Sequence, residues 1–505
     1  MHWADAFASK LSGEQVVSTG ISPSGPIHIG SMREILTGDI IHRAIRDRGL
    51  PSRFIYLCDD MDPLRRRYSF LDPAYEKHVG MPLYTIPSPE GNGNYSDYYL
   101  APFLDVLEKL EVNVEVIKTH SLYAKGKLAE ATRIAIEKRH LIRKILEEVT
   151  GRELPDDWFP YNPICASCGR VDTTTATAFD YPFVEYECRC GYRGKADIRK
   201  DHGKMPWRVE WPAKWFALGV TVESYGKDHA AAGSSYDTGK RIIREIFNGR
   251  APDGIVYEHI YLKGKGAMHS STGNLISAAE MISFSPPEIL RFIIAKNNPS
   301  RHIVFDPGSG LLNLIDEFDR YRLSYFGNGS VKDEDFKRVY EFSRIRRYES
   351  SIDVGFRHLV TLIQMYPNED ELIRAINRSG HRTESSDAAL RVRIESARKW
   401  LEKYAPDSIK FRILDTEEVV SLPEGSRPII EKFLKSIEDI EWSAESIHNT
   451  VYQIIKESGM NARTGFSFFY RLLTGGDRGP RLGYFMSNLD REWIKERFAF
   501  CLKKC

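Results

Sequence analysis

Residues Gln15 to Asp62 constrain the fold most. They run from a short apolar strand (QVVST, Gln15 to Thr19) through a Gly/Ser/Pro turn (GISPSGPIHIGS) into a helical pattern. Ile35, Leu36, Ile40, Ile41, Ala44 and Ile45 recur at the helical repeat before an RDRG stop at Arg46 to Gly49. A second apolar strand, Arg53 to Leu57 (RFIYL), then enters an acidic loop holding Asp59, Asp60 and Asp62. This strand-helix-strand order predicts a parallel sheet with ligands at the carboxyl ends of its strands.

The same grammar continues with a strand from Val112 to Ile117. A long helix follows from Lys125 to Val149, whose Arg133, Lys138, Arg139, Arg143 and Lys144 read as a solvated amphipathic face. From about Gly151 to Arg199 a segment rich in Pro, Gly and aromatics interrupts the pattern as an inserted module. It carries Cys165, Cys168, Cys188 and Cys190, a CASC and a CRC, and four thiolates at such spacing suit a tetrahedral structural Zn2+. Four thiolates leave no open position, so this metal is not expected to be catalytic. Cys58, Cys501 and Cys505 read as a core residue and two tail residues.

Strand Val220 to Tyr225, loop Gly226 to Gly239, a helix through Ile246 and a strand from Ile255 to Leu262 resume the α/β pattern. Pro286 and Pro287 stand where a helix would start, and helical stretches with charged faces run from about Asn313 onward. The expected fold class is therefore an α/β Rossmann-like catalytic core with an inserted zinc module, followed by an all-α C-terminal region. The expected divisions are 1–110 and 201–265 for the two halves of the core and 111–200 for the insert. A loop and connector occupy 266–330, and the helical region 331–505.

A chain of 505 residues that is 42% hydrophobic and 28% charged is not a mostly disordered one. Its 71 Lys and Arg against 70 Asp and Glu carry no global signature of a nucleic-acid binder, so any such partner must be argued locally. The opening MHWADAFASKLSGEQ lacks a secretory apolar run, and no membrane-length apolar stretch occurs. A cytoplasmic protein with no membrane partner is expected.

The turn Ser22 to Ser31 meets a helix N-terminus, where backbone N–H groups and the helix dipole favour an anion such as phosphate. It has neither GxGxxG nor GxxxxGK. Instead His28, two residues before Gly30, can donate to a polyphosphate as charge develops, and the glycine admits close approach of a nucleotide. The second Ser-rich turn, KGKGAMHSSTGN, is expected to follow a late strand of the same sheet and to close over the triphosphate from the opposite side.

PSGPIHIGS resembles the HIGH signature of class I aminoacyl-tRNA synthetases, and AMHSSTGN takes the place of their KMSKS loop. TGISPSGPIHIGSMRE, LCDDMDPLRR, YGKDHAAAGSSYDTG and the cysteine module together resemble the class I lysyl-tRNA synthetase family, as does LTGGDRGPRLG near Leu473 to Gly483. The resemblance implies an enzyme that activates lysine with ATP (as its Mg2+ complex) and transfers it to the 3′ end of tRNA(Lys). It makes 266–330 a KMSKS-like loop and stem-contact connector, and 331–505 an anticodon-binding region.

It also implies site residues. His28, Ser270, Ser271 and Lys265 would act in catalysis. ATP would rest on Ser24, His28, Gly30, Ser31, Gly226, Asp228 and Met268, with Asp228 suited to the ribose hydroxyls. The amino acid would lie against Gly20, Ser22, Trp215, His229 and Tyr236. A lysine side chain itself asks for an apolar wall, which Trp215 would supply, and for an ammonium partner, for which Asp59, Asp60 and Glu258 are candidates, although an acidic loop after a strand more often is solvated or caps a helix. The loop departs from the family pattern, since Ala267 falls on its first lysine, His269 on its serine and Ser270 on its second lysine, while Lys263 and Lys265 lie just upstream. That departure keeps open a non-catalytic tRNA-binding paralogue, and the shared architecture keeps open a glutamate or cysteine enzyme.

Overall fold

In the computed structural model, which describes residues 1–268, 275–327, 334–349, 354–381 and 387–504, the strand-helix-strand opening is present. Helix α1 (Trp3–Ala8) precedes strand β1 (Gln15–Ile21), helix α2 (Ile29–Asp47) and strand β2 (Ser52–Cys58). β1 and β2 pair in parallel, from Gln15 opposite Ser52 to Ile21 opposite Cys58. The apolar stripe of α2 is fully buried, which explains its packing against the sheet. Arg33, also buried, ties this helix to a distant segment by donating to the carbonyls of Pro299 (3.1 Å) and Arg301 (2.6 Å).

Helix α3 (Tyr95–Lys109) leads to β3 (Glu115–Lys118), which pairs with β2 in parallel. The one helix predicted from Lys125 to Val149 is two. After α4 (Thr119–Ala124) come α5 (Ala129–Glu137) and α6 (Arg139–Thr150), parted at Lys138, whose ψ is 22°. A long-range bond accompanies the break, since Lys138 Nζ donates to Ile246 O at 2.7 Å. The basic face is largely ion-paired, Arg133 to Glu130 and Glu137 and Arg143 to Asp156.

The cysteine insert comprises β4 (Asn162–Pro163), β5 (Thr174–Asp180), β6 (Phe183–Cys188), β7 (Arg193–Asp197) and β8 (Gly203–Lys204). β5, β6 and β7 form an antiparallel meander, and β4 pairs with β8 where the insert leaves and rejoins. The insert has no separate core: Tyr161, Val184 and Tyr186 pack in one apolar cluster with Ile55, Leu57 and Trp211.

Helix α7 (Trp207–Leu218), β9 (Val222–Gly226), α8 (Ser235–Glu245) and β10 (Asp253–Tyr257) complete the sheet, in the order β10-β9-β1-β2-β3. All its pairings are parallel. The direction of winding reverses between β1 and β9, which opens a crevice at their carboxyl ends.

The strand predicted from Ile255 to Leu262 is also two. β11 (Ile260–Leu262) leaves the sheet, pairs antiparallel with β12 (Gly266–Ala267) and, past α9 (Ala278–Phe284) and α10 (Glu288–Ala295), parallel with β13 (Ile303–Phe305). Glu258 N–H donating to Pro299 O (2.9 Å) and Ile303 N–H to His259 O (3.1 Å) draw the chain away. The Ser-rich turn thus follows a second, three-stranded sheet, and the expectation that it follows a strand of the main sheet is corrected.

The chain divides into two compact units. One holds Met1–Ile282, Pro287–Asp306 and Tyr321–Ile345; the other holds Ser283–Pro286, Pro307–Arg320 and Arg346–Cys505. The second is built of helices such as Ser426–Ser436, Ala462–Thr474 and Arg491–Lys504, whose Phe433, Phe469 and Phe498 meet at its core. Among the described residues no helix is long and apolar enough to cross a membrane.

Candidate active site

The crevice at the carboxyl ends of β1 and β9 is a cleft of about 390 Å3. It brings together nine of the residues singled out from sequence: Gly20, Ser22, His28, Gly30, Ser31, Gly226, Asp228, His229 and Met268. Glu34, Tyr257 and His259 line it as well.

His28 is the N-cap of α2, and its Nδ1 accepts the Ser31 N–H at 3.3 Å. A backbone N–H can only donate, so Nδ1 is unprotonated and a neutral ring carries its proton on Nε2. The ring covers the first helical turn: a Cβ on Gly30 would lie 2.8 Å from Nδ1, 2.9 Å from Cε1 and 3.5 Å from the Met268 methyl. Glycine is needed there to seat the imidazole.

Glu34 sits on the same helix, six residues beyond His28. Its carboxylate accepts the Gly20 N–H (2.6 Å) and the Tyr257 O–H (2.7 Å). Burial pushes its pKa up to about 8, with these two donors opposing the rise. Glu34 is not among the residues singled out from sequence, where it stands beside the apolar stripe that begins at Ile35.

The carboxylates singled out as ammonium partners are engaged elsewhere. Asp59 accepts from Thr119 Oγ1 (2.9 Å) and from Lys214; Asp60 caps α4 by accepting the His120 N–H (2.9 Å); Glu258 pairs with Lys227 (2.7 Å). None of the three lines the cleft. Asp228 does, with its side chain 74% exposed and 3.4 Å from His259 Nε2.

Beneath Ser22 lies a buried charge network. Ser22 Oγ donates to Asp62 (2.6 Å), Asp62 pairs with Lys204 (2.5 Å), and Lys204 and Lys214 both meet Glu210 (3.4 and 3.0 Å). Burial works against the Lys204 ammonium, but Asp62, Glu210 and Asp59 outweigh it and push its pKa up. Because Lys204 lies on β8, the cysteine insert is linked to the floor of the cleft.

Other expected residues lie apart from the cleft. Trp215 is buried against Trp211 (centroids 4.8 Å) and Tyr236 (5.9 Å), and Tyr236 stacks on Tyr225 (4.6 Å) and donates its hydroxyl to Pro252 O (2.6 Å). The two form an aromatic layer behind the site. Ser24 lies on the turn, its carbonyl accepting the Tyr95 O–H at 2.8 Å. Ser270 and Ser271, with His269, fall outside the described residues. Lys265 is exposed in the turn joining β11 to β12, and Lys263 pairs with Asp306 at 2.9 Å.

Cys165, Cys168, Cys188 and Cys190 converge, their sulfurs all within 4.8 Å of one another. Cys165 and Cys190 are 3.6 Å apart, Cys168 and Cys188 3.7 Å. Zn–S bonds of about 2.3 Å give a tetrahedron with edges of about 3.8 Å, so the thiolates fit this ion. Cys165 and Cys168 sit on one tight turn and Cys188 and Cys190 on another, each closed by a glycine N–H, Gly169 to Cys165 O (2.8 Å) and Gly191 to Cys188 O (2.9 Å). Both glycines need positive φ, 72° and 90°.

Comparison with known proteins gives a consistent picture. The family model described as tRNA synthetases class I (K) matches residues 1–346, and one described as an anticodon binding domain matches 395–502. A lysine–tRNA ligase of Picrophilus torridus is 55% identical over 99% of this chain and 99% of its own. One of Thermoplasma acidophilum is 53% identical over 98% of each, and one of Archaeoglobus fulgidus 43% identical over 99% and 100%.

Proposed function

The chain belongs to the class I lysyl-tRNA synthetase family and is a lysine–tRNA ligase; from that premise we propose how its residues divide the work. Its substrates are lysine, ATP and tRNA(Lys).

The observation that carries the reading is that His28 and Glu34, on one helix, face one cleft. His28 Nε2–H donates to the α-phosphate of ATP, brought in as its Mg2+ complex. Gly30, Ser31 and Met268 bound the nucleotide, and Asp228, at the end of β9, accepts from the ribose hydroxyls. Ser24 borders the triphosphate from the turn, and Gly226 lets the nucleoside approach the backbone.

Lysine lies on Gly20, Ser22 and His229, with its ammonium on Glu34, while Trp215 and Tyr236 hold that wall from behind. The lysine carboxylate attacks the α-phosphorus in line, the carboxyl O–P bond forming as the bond to pyrophosphate breaks. The protein positions the reactants and neutralises charge, without covalent catalysis. A terminal ribose hydroxyl of tRNA then attacks the adenylate carbonyl, and AMP leaves. Residues 331–505 read the anticodon.

ATP–pyrophosphate exchange with each amino acid, with and without tRNA, tests this assignment. Lysine should support exchange and glutamate and cysteine should not; the reverse order would overturn it.

In the loop, Ser270 and Ser271 contact the triphosphate, and Lys265 supplies the ammonium that Ala267 lacks. Lys265→Ala should cut adenylate formation tenfold or more, about 1.4 kcal/mol, while Lys263→Ala, at a residue that pairs with Asp306, changes it little. Equal rates for the two variants would remove Lys265 from the mechanism.

The four cysteines hold a structural Zn2+, which contributes its binding free energy to folding. Cys165→Ser should lower the metal content measured by elemental analysis and destabilise the insert. Through Lys204 and Asp62 it should also loosen Ser22. Metal-free native protein purified without chelator would overturn the assignment.

A further inference from the structure

Within the helical unit, a second cavity of about 580 Å3 lies between helices Ala444–Glu457, Ala462–Thr474 and Leu482–Ser487. Four of its ten lining residues, His448, Phe466, Tyr470 and Tyr484, carry rings. Phe466 stacks on His448 (centroids 5.4 Å, planes 16° apart). The space exists because helix Leu482–Ser487 can lie directly on helix Ala444–Glu457: a Cβ on Gly483 would meet Ala444 O at 2.1 Å and His448 Cβ at 2.8 Å. Gly483 ends the LTGGDRGPRLG segment, which the catalytic site does not use.

The Tyr470 hydroxyl donates to Pro480 O, but three other polar side chains of this cavity are uncommitted. Among the described residues, the side chains of His448, Asn449 and Arg481 make no hydrogen bond or ion pair, and His448, Asn449 and Arg481 are exposed. The surroundings are basic, with Arg463, Arg471, Arg478 and Arg481 between residues 463 and 481 against the single acid Asp477, which pairs with Arg471 (2.5 Å). The Glu445 carboxylate on the rim disfavours a phosphate at that spot and can accept from a base N–H.

We propose that this cavity takes one unstacked nucleobase of the tRNA anticodon. The base lies against the Phe466 and Tyr484 rings, Asn449 and Glu445 read its hydrogen-bonding edge, and Arg481 holds the adjoining phosphate. Aromatic faces bind a base of any identity, so affinity comes from the rings and selectivity from the amide and carboxylate. The inference rests on the synthetase reading and deepens it, because the cavity lies inside the stretch matched by the anticodon-domain model.

The test uses full-length protein and tRNA(Lys) transcripts carrying single substitutions at each of the three anticodon positions. Exposed Asn449 and His448 can be replaced without disturbing the core. His448→Ala removes the ring that holds Phe466 in its stacked position, and should weaken binding of the unsubstituted transcript about tenfold. Asn449→Ala should erase discrimination at one anticodon position and leave it intact at the other two. The melting temperature and lysine binding measured by calorimetry should not change.

The proposal is overturned if Asn449→Ala keeps wild-type discrimination at all three positions, or weakens every transcript by the same factor. Failure of the wild-type enzyme to charge any of these transcripts with lysine would instead strike the synthetase reading.

Discussion

Replacing His28 with alanine is expected to slow lysyl-adenylate formation by about 10²- to 10³-fold in kcat, the usual cost of losing one preorganised donor to developing charge, about 2.7–4 kcal/mol. The loss should fall on kcat, because the donor gains strength as charge builds on the α-phosphate in the transition state. His28 has a second role, since its Nδ1 caps α2, and removing a cap costs about 0.5–2 kcal/mol of stability. His28→Asn separates the two: asparagine is a strong N-cap but cannot place a donor where Nε2 stands. It should regain stability without regaining rate. Gly30→Ala should resemble His28→Ala in rate, because the added methyl would press into the imidazole at 2.8 Å. An asparagine variant with wild-type kcat would reduce His28 to a helix cap.

The sequence carried those parts of the molecule that depend on neighbours in the chain. The apolar runs around Val17 and Ile55 become paired strands, and the stripe from Ile35 to Ile45 becomes the buried face of α2. The Cys-x-x-Cys and Cys-x-Cys halves meet as expected of a metal cluster. What failed depended on distant partners. The break at Lys138 goes with a bond to Ile246, and the parting of β10 from β11 is imposed by Pro299 and Ile303.

The acidic loop misled for a similar reason. Asp59 and Asp60 looked available beside a strand end, but Lys214, Thr119 and His120 come from elements far along the chain to engage them. Glu34 was hidden in an ordinary helical repeat. One positional signal could have found it: a helix starting at the carboxyl edge of a parallel sheet presents its first two turns to the same crevice as its cap.

Glu34→Gln is expected to lower kcat/KM for lysine by two to three orders of magnitude, in line with about 2–5 kcal/mol for truncating one side of a buried charge pair. The substitution keeps the shape of the side chain; the amide oxygen can still accept the Gly20 N–H while the amide NH2 donates to the Tyr257 hydroxyl oxygen, so the fold and the KM for ATP should persist. A pH profile sharpens the test. In the free protein burial holds Glu34 near a pKa of about 8, yet a lysine ammonium needs the ionised carboxylate. Below that pH each binding event must release a proton, so kcat/KM for lysine should climb about tenfold per unit from pH 6 and level off above 8. The linked effect on stability has the opposite sign. A carboxyl whose pKa rises from 4.5 to about 8 on folding holds more protons in the folded state, so its contribution to stability falls as pH rises through that window. Lysine, by pairing with the charge, should offset this loss and raise the melting temperature more at pH 8 than at pH 6. In the glutamine variant both dependences should vanish. A wild-type slope that survives in the variant would assign the titration to another group and leave the ammonium without the partner proposed for it.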